Sequence, residues 1–396
     1  MKMQLPSVDI LIAAKNEERY IGSCLAALAA QDYPKELLQI YVIDNASSDK
    51  TVRIAERSGA HVLTEGKRGA GAVRNAGLAR SRGELVGFLD AHCVPEKNWV
   101  RLMAAEFTVE VLGGCQGSIE NKSVNRRVQK YLDDTGALSN ERVVEDTISG
   151  KRNLYPWILS GNCMYRRDAL NDAGFFNENL KACEDVDLAW RVVLLGYQFA
   201  YVPEAKLTHF NCDSWHGFLK KGLGYGEGAA TLASIYKPHG AREKFLPAQI
   251  WSKRPERLLS GLYYWAGYRQ KEWRLRLKLD PLPGIHPQRN VLAKFRPAFQ
   301  WKPGTSLRIS EEAIFWFRND DQTSVIVHLP TKLRVVLDGV GDLIWRRIAI
   351  GVSREGIVQE LMARYGVARI TISSDLDDLI EELIDAGILV EATPVL

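Results

Sequence analysis

The sequence predicts an α/β protein: a mostly parallel sheet covered by helices, followed by a small α+β, winged-helix-like domain. Three observations predict it. The first 90 residues alternate apolar β-rich runs with stretches of helical spacing. Residues 85–92 read Leu-Val-Gly-Phe-Leu-Asp-Ala-His, an apolar run that stops on Asp90. A buried strand of a parallel sheet reads this way, and its C-terminal end is where open α/β sheets bind ligands. Charge then divides the chain. Residues 241–303 hold 14 Lys and Arg against 4 Asp and Glu, and residues 304–396 hold 9 against 15, while the first 240 are balanced.

The elements follow in order. Val8–Ala13 is a β-rich run, and Asn16–Ala30 has helical spacing with Ile21, Leu25 and Leu28 on one face. Ile40–Ile43 is a second strand, and Ser48-Asp49 can cap a helix from Thr51. His61–Leu63 is a third strand, followed by a helix over Ala70–Arg80 and the Leu85–Leu89 strand. A second block runs strand (Trp157–Leu159), turn (160–162), helix (Arg167–Ala173), helix (Cys183–Leu195) and strand (Phe199–Val202). Residues 213–300 are rich in Trp, Tyr, Lys, Arg and Pro and read as an irregular helical extension. After residue 304, short β-like runs (Ser324–His328, Arg334–Leu337) precede helices near Gly341–Ala349, Arg354–Tyr365 and Ile372–Ala386, the last closed by Gly387. Domains over 1–212 and 304–396, joined by a basic connector over 213–303, are expected.

Composition narrows the class. The chain has 396 residues, 46% hydrophobic and 25% charged, as soluble globular proteins do. No run approaches the roughly 18 apolar residues of a membrane span, and the first six residues lead straight into a strand with no signal-peptide pattern. The six cysteines form no Cys-x-x-Cys pair, which points to reduced thiols and a cytoplasmic setting.

Four clusters carry chemistry. Asp90 and His92 place two donors one residue apart at a strand end, which suits a divalent cation that also holds a diphosphate; an Asp capping a turn has the same pattern. Asp44 ends the second strand, where its carboxylate can accept from a nucleobase N–H or serve turn chemistry. The loop at residues 66–71, Gly-Lys-Arg-Gly-Ala-Gly, opens a helix and can approach phosphates. Glu184-Asp185 opens another helix, where the dipole favours acids and where a general base could stand.

Five motifs, in order, resemble family 2 glycosyltransferases of the Rossmann-like GT-A fold over residues 6–212. They are the stretches at 12–18 (Ile-Ala-Ala-Lys-Asn-Glu-Glu), 42–49 (Val-Ile-Asp-Asn-Ala-Ser-Ser-Asp), 74–77 (Arg-Asn-Ala-Gly), 88–92 (Phe-Leu-Asp-Ala-His) and 183–191 (Cys-Glu-Asp-Val-Asp-Leu-Ala-Trp-Arg). The resemblance implies that Ala14, Glu17, Asp44, Arg74 and Asp90 bind a nucleotide sugar, UDP-linked by family habit. It implies a metal on Asp90, His92 and His209. The third motif position is commonly Asp, and His92 there shifts the expected ion from Mg2+ toward Mn2+. It implies Asp185 as base beside Glu184 in a single inverting displacement, and an acceptor side formed by Trp157, Gly161 and Asn162.

The tail, Leu307 to Val390, resembles the PqqD family, also called the RiPP recognition element. Leu-Asp-Gly at 337–339, Ile344-Trp345 and the closing Gly387-Ile388-Leu389 carry the likeness. It implies a three-stranded sheet on three helices that binds a precursor's leader peptide as an added strand. The tail's net acidity argues against nucleic acid. Together these imply a peptide glycosyltransferase acting on Ser, Thr or Cys of a ribosomal precursor. The alternative is a lipid-linked or polysaccharide acceptor. In that case the tail serves protein interaction only, and residues 250–300 touch the inner membrane face.

Overall fold

The computed structural model describes residues 5–109, 111–136, 141–148, 155–236, 254–277, 280, 298–303, 305–310, 313–318, 323–328, 331, 333–349 and 351–392. Of the expected connector, residues 237–253, 278, 279 and 281–297 lie outside them. The chain forms two compact units, residues 1–192 with 199–287 and residues 193–198 with 288–396.

In the first unit, β1 (Val8–Ala14) is buried almost throughout, as a strand covered on both faces must be. The helix expected from Asn16 starts five residues later, as α1 (Ile21–Ala29). Asn16 has a φ of 56°, which a right-handed helix cannot contain. Its side chain accepts instead from Ser48 N at 2.8 Å. β2 (Leu38–Asp44), α2 (Thr51–Arg57), β3 (His61–Thr64), α3 (Ala70–Arg80) and β4 (Leu85–Asp90) follow in the predicted rhythm. β1 pairs in parallel with β2 and β4, and β2 with β3, so the carboxyl ends align: Ala14 opposite Asp44, Ala13 opposite Asp90.

Next come β5 (Cys93–Pro95), α4 (Trp99–Ala105), β6 (Leu112–Lys122), α5 (Arg126–Thr135) and α6 (Glu141–Ile148). The strand expected at Trp157–Leu159 is absent from that segment, whose Leu159 N donates to the Gln116 side chain at 2.6 Å. The strand is β7 (Asn162–Arg166), hidden from sequence reading by its polar ends. It runs antiparallel to β4 and β6. After α7 (Arg167–Ala173) and α8 (Glu184–Leu194), β8 (Gln198–Phe210) is far longer than the expected Phe199–Val202. β5 lies antiparallel to it with Cys93 opposite His209, and the sheet order is β3-β2-β1-β4-β7-β6-β8-β5.

The extension expected to be irregular holds two regular helices, α9 (Trp215–Ile235) and α10 (Pro255–Arg276). Ser214 caps α9 by accepting from Gly217 N at 3.0 Å, and Pro255 opens α10. Their backbones touch at glycines: a Cβ on Gly226 would run into the Tyr264 carbonyl, and one on Gly267 into that of Leu223.

The second unit has more sheet than expected. β9 (Phe299–Lys302) and β10 (Thr305–Ile309) form a three-stranded sheet with β14 (Leu389–Glu391). β11 (Ala313–Arg318), β12 (Thr323–His328) and β13 (Leu333–Leu337) form the antiparallel sheet that was anticipated. α11 (Gly339–Ala349), α12 (Arg354–Tyr365) and α13 (Arg369–Asp385) complete it. Phe299, Phe315, Ile326, Trp345, Val358 and Leu376 meet in one buried core.

Candidate active site

Parallel register brings the ends of β1, β2 and β4 to one crevice. Asp44 is buried there; its Oδ2 accepts from Ser47 N at 3.0 Å, and its Oδ1 has no partner among the described residues. A buried carboxylate oxygen left this way is costly unless something donates to it. Ala14 closes the same edge, its carbonyl accepting from Asn45 N at 2.8 Å. Asn45 also ties the basic loop to β2, donating to the carbonyls of Glu65 and Lys67. Lys67 itself pairs with Glu178 at 2.5 Å.

Asp90, His92 and His209 offer ligand atoms that all lie within 4.8 Å of one another. The strand pairing explains why: His209 on β8 arrives beside His92, and the two rings meet edge-on at 4.9 Å. His209 thus sits inside a strand, not after one. Glu17, expected to touch the nucleoside, lies 3.0 Å from His92 Nδ1. An ionised carboxylate only accepts, so Nδ1 donates to Glu17, and Nε2 lies 4.0 Å from Asp90 Oδ2, where it would ligate a metal once it gives up its own proton. Burial lowers the His209 pKa to about 4 with help from His92, so this ring is neutral and its buried Nδ1 has no partner among the described residues. One carboxylate and two imidazoles fit a divalent transition ion better than Mg2+.

A chain of charge crosses the crevice. Arg74 on α3 donates to Glu184 Oε1 at 2.6 Å and to Asp90 Oδ1 at 3.4 Å, under the ring of Phe176. Burial pushes Asp90 up, but the charges of His92 and Arg74 together hold its carboxyl below the usual range. Glu184 and Asp185 occupy the first turn of α8. Asp185 receives Val186 N at 2.9 Å and Ser160 N and Oγ at 3.4 Å. Burial, then the neighbouring Glu184, pushes its pKa up to about 6.

The expected acceptor-side residues separate. Gly161 lies against the Asp90 carboxylate, since a Cβ there would come within 2.7 Å of Asp90 Oδ2. Trp157 is half-buried in the segment before it. Asn162 is a correction: it is fully buried, its Oδ1 accepts from Trp99 Nε1 at 2.8 Å, and its Nδ2 donates to the Ser118 carbonyl. Both ends of its amide are spent on the core, so it faces no acceptor. The Ser160–Asp185 and Glu17–His92 contacts escaped sequence reading, because no local spacing encodes a contact between segments so far apart in the chain.

Sheet order and an acidic crevice at the carboxyl ends of β1, β2 and β4 define the GT-A class. The mannosyltransferase PcManGT from Pyrobaculum calidifontis, solved with GDP-Man and Mn2+, has this fold: TM-score 0.51 at 18% identity, over 68% of this chain and 88% of that one. Residues 9–174 match the family model for glycosyl transferase family 2, and residues 323–389 that for coenzyme PQQ synthesis protein D (PqqD). One chain thus carries a stretch that matches family 2 glycosyl transferases and a second that matches PqqD, and its relatives are glycosyltransferase enzymes. Glycosyltransferase AglE of Haloferax volcanii is 28% identical over 58% of this chain and 74% of its own length. The pre-mycofactocin glycosyltransferase of Mycobacterium tuberculosis is 28% identical over half of this chain but only 42% of its own length.

Proposed function

We propose that the protein moves a sugar, with inversion, from a nucleotide sugar to a Ser, Thr or Cys side chain of a ribosomal precursor peptide whose leader the PqqD domain holds. The observation that carries this reading is the presence, in one chain, of the acidic crevice and of a domain with an open sheet edge. β13 is an edge strand of its sheet with Leu333 and Val336 exposed, and an extended peptide can add there as a further strand. Tethering the leader raises the core peptide's local concentration to roughly millimolar for a short flexible linker.

In the crevice, the Asp44 oxygen without a partner accepts from the N–H of a base, and we take uracil and so UDP as that base and carrier. Asp90, His92 and His209 would hold a divalent cation, with Mn2+ the best fit, which when bound would supply positive charge for the departing diphosphate. Arg74 keeps Asp90 and Glu184 at fixed separation. Asp185 takes the proton of the acceptor O–H or S–H as its oxygen or sulfur bonds to the anomeric carbon. The bond from that carbon to the diphosphate oxygen breaks, its electron pair leaving with the nucleoside diphosphate. No covalent enzyme intermediate forms.

A second reading is favoured by α10, which exposes Leu259, Leu262, Trp265 and Trp273, with Leu277 exposed just after its end. Such a face suits a membrane interface and a lipid-linked or polysaccharide acceptor. Among the described residues no helix is long and apolar enough to cross a membrane. Intact-mass spectrometry separates the two. A candidate precursor peptide is incubated with enzyme, a panel of nucleotide sugars and Mn2+. A gain of one hexose or N-acetylhexosamine, absent with Asp185→Asn, supports the peptide acceptor. Peptide binding without mass gain, together with slow donor hydrolysis, overturns it and points to lipid acceptors.

A further inference from the structure

α9 begins well beyond the residues that match the glycosyl transferase family model, yet two pins set it beside the crevice. At its start, Asp213 accepts from Arg19 Nη1 at 2.5 Å and from the Tyr20 hydroxyl at 3.0 Å. Those two residues follow closely on Glu17, the partner of His92. About four turns along, Gly228 presses on the residues before the base: a Cβ there would lie 2.8 Å from the Ala182 carbonyl and 2.7 Å from Cys183 Sγ. Cys183 Sγ also lies 3.8 Å from the Tyr225 carbonyl. The helix therefore spans from the metal cluster to the start of α8.

Residues four and seven apart share a helix face. Lys221, Tyr225 and Gly228 are so spaced, which puts Lys221 on the crevice side, nearer the metal cluster than Gly228. Both Lys221 and Tyr225 are exposed rather than packed away, and Lys221 has no ion-pair partner among the described residues. Its charge bears on Asp90, His92 and His209 alike. The crevice needs such a charge. Glu17, Asp90, Glu184 and Asp185 crowd it with carboxylates, and Arg74 is already bonded to two of them. A divalent cation offsets only part of what these acids and a diphosphate bring together.

We propose that Lys221 is a diphosphate-binding residue, its ammonium donating to the phosphate oxygens and neutralising the charge that grows there as the sugar leaves. The inference rests on the nucleotide-sugar reading above. It places α9 in the catalytic machinery.

Calorimetric titration tests it, using UDP, GDP and the bare nucleosides with Mn2+ against wild type, Lys221→Ala, Lys221→Arg and the neighbouring Lys220→Ala. Loss of one charge-assisted phosphate contact weakens diphosphate binding about tenfold to a hundredfold. Lys221→Arg restores most of it, while nucleoside binding and the Lys220→Ala variant stay as in wild type. A merely structural lysine would move nucleoside and diphosphate binding together. Lys221→Ala binding diphosphate as tightly as wild type overturns the inference and leaves the donor reading standing. Wild type binding neither diphosphate overturns both.

Discussion

On the proposed mechanism, the Asp185 base and the metal face of the crevice make separable demands on single residues. Asp185 has a folded pKa raised to about 6, above that of a free carboxyl near 3.9. The proposed base works only when ionised, so transfer falls about tenfold per pH unit below about 6. A pH–rate profile at saturating Mn2+ checks this, and a flat profile from pH 5 to 8 contradicts it. The same shift has a stability consequence. A carboxyl with a raised folded pKa costs the fold stability as pH rises from about 4 through 6. Asp185→Asn should then cut transfer by about 10²- to 10⁴-fold while stabilising the unliganded protein at pH 7.5 by on the order of 1–2 kcal/mol. Thermal unfolding measures the second effect, and a lowered Tm would refute it. Glu17→Gln removes the carboxylate from His92 Nδ1, and Mn2+ affinity should fall about tenfold to a hundredfold by titration.

At the scale of elements, the crevice depends on backbones that approach closely. The contact between α9 and α10 is made by Gly226 and Gly267, where a methyl group has no room. Gly226→Ala should force the helices apart and cost about 1–3 kcal/mol, read as a lower Tm. Donor-dependent turnover should fall with it, because α9 is also held against Cys183. Unchanged Tm and turnover would show that the helix pair tolerates separation. Cys183 itself has a φ of 61° and Phe175 one of 62°. Arg191 accounts for the second: it donates to the carbonyls of Ala173 and Phe175 while paired with Asp187 on its own helix. The loop before the base is thereby anchored from behind.

At the scale of the whole molecule, the proposed function puts recognition and chemistry on different units. Val336→Asp on the β13 edge should weaken binding of the leader peptide and raise the apparent KM for the precursor about a hundredfold. Donor hydrolysis in the absence of peptide should not change. Fluorescence-anisotropy binding of a labelled leader, run beside the hydrolysis assay, reads both. A variant that loses hydrolysis but keeps the leader would reverse the assigned roles.

The sequence by itself determined the class of fold, the order of the first parallel strands, the two family likenesses and the carboxylates of the crevice. Those features are local: apolar period, turn chemistry and short motifs lie within a few residues of each other, and side-chain spacing alone expresses them. Even β7 was misplaced, because a central strand bracketed by Asn162 and Arg166 lacks the apolar pattern that marks a strand. What only the tertiary structure decided is which distant residues meet. Glu17 behind His92, Ser160 at Asp185, Gly161 against Asp90 and Gly228 of α9 against Ala182 all depend on pairing between strands and packing between helices. Such contacts join residues tens of positions apart or more, and they follow from sheet order and register, which one chain's local pattern does not contain.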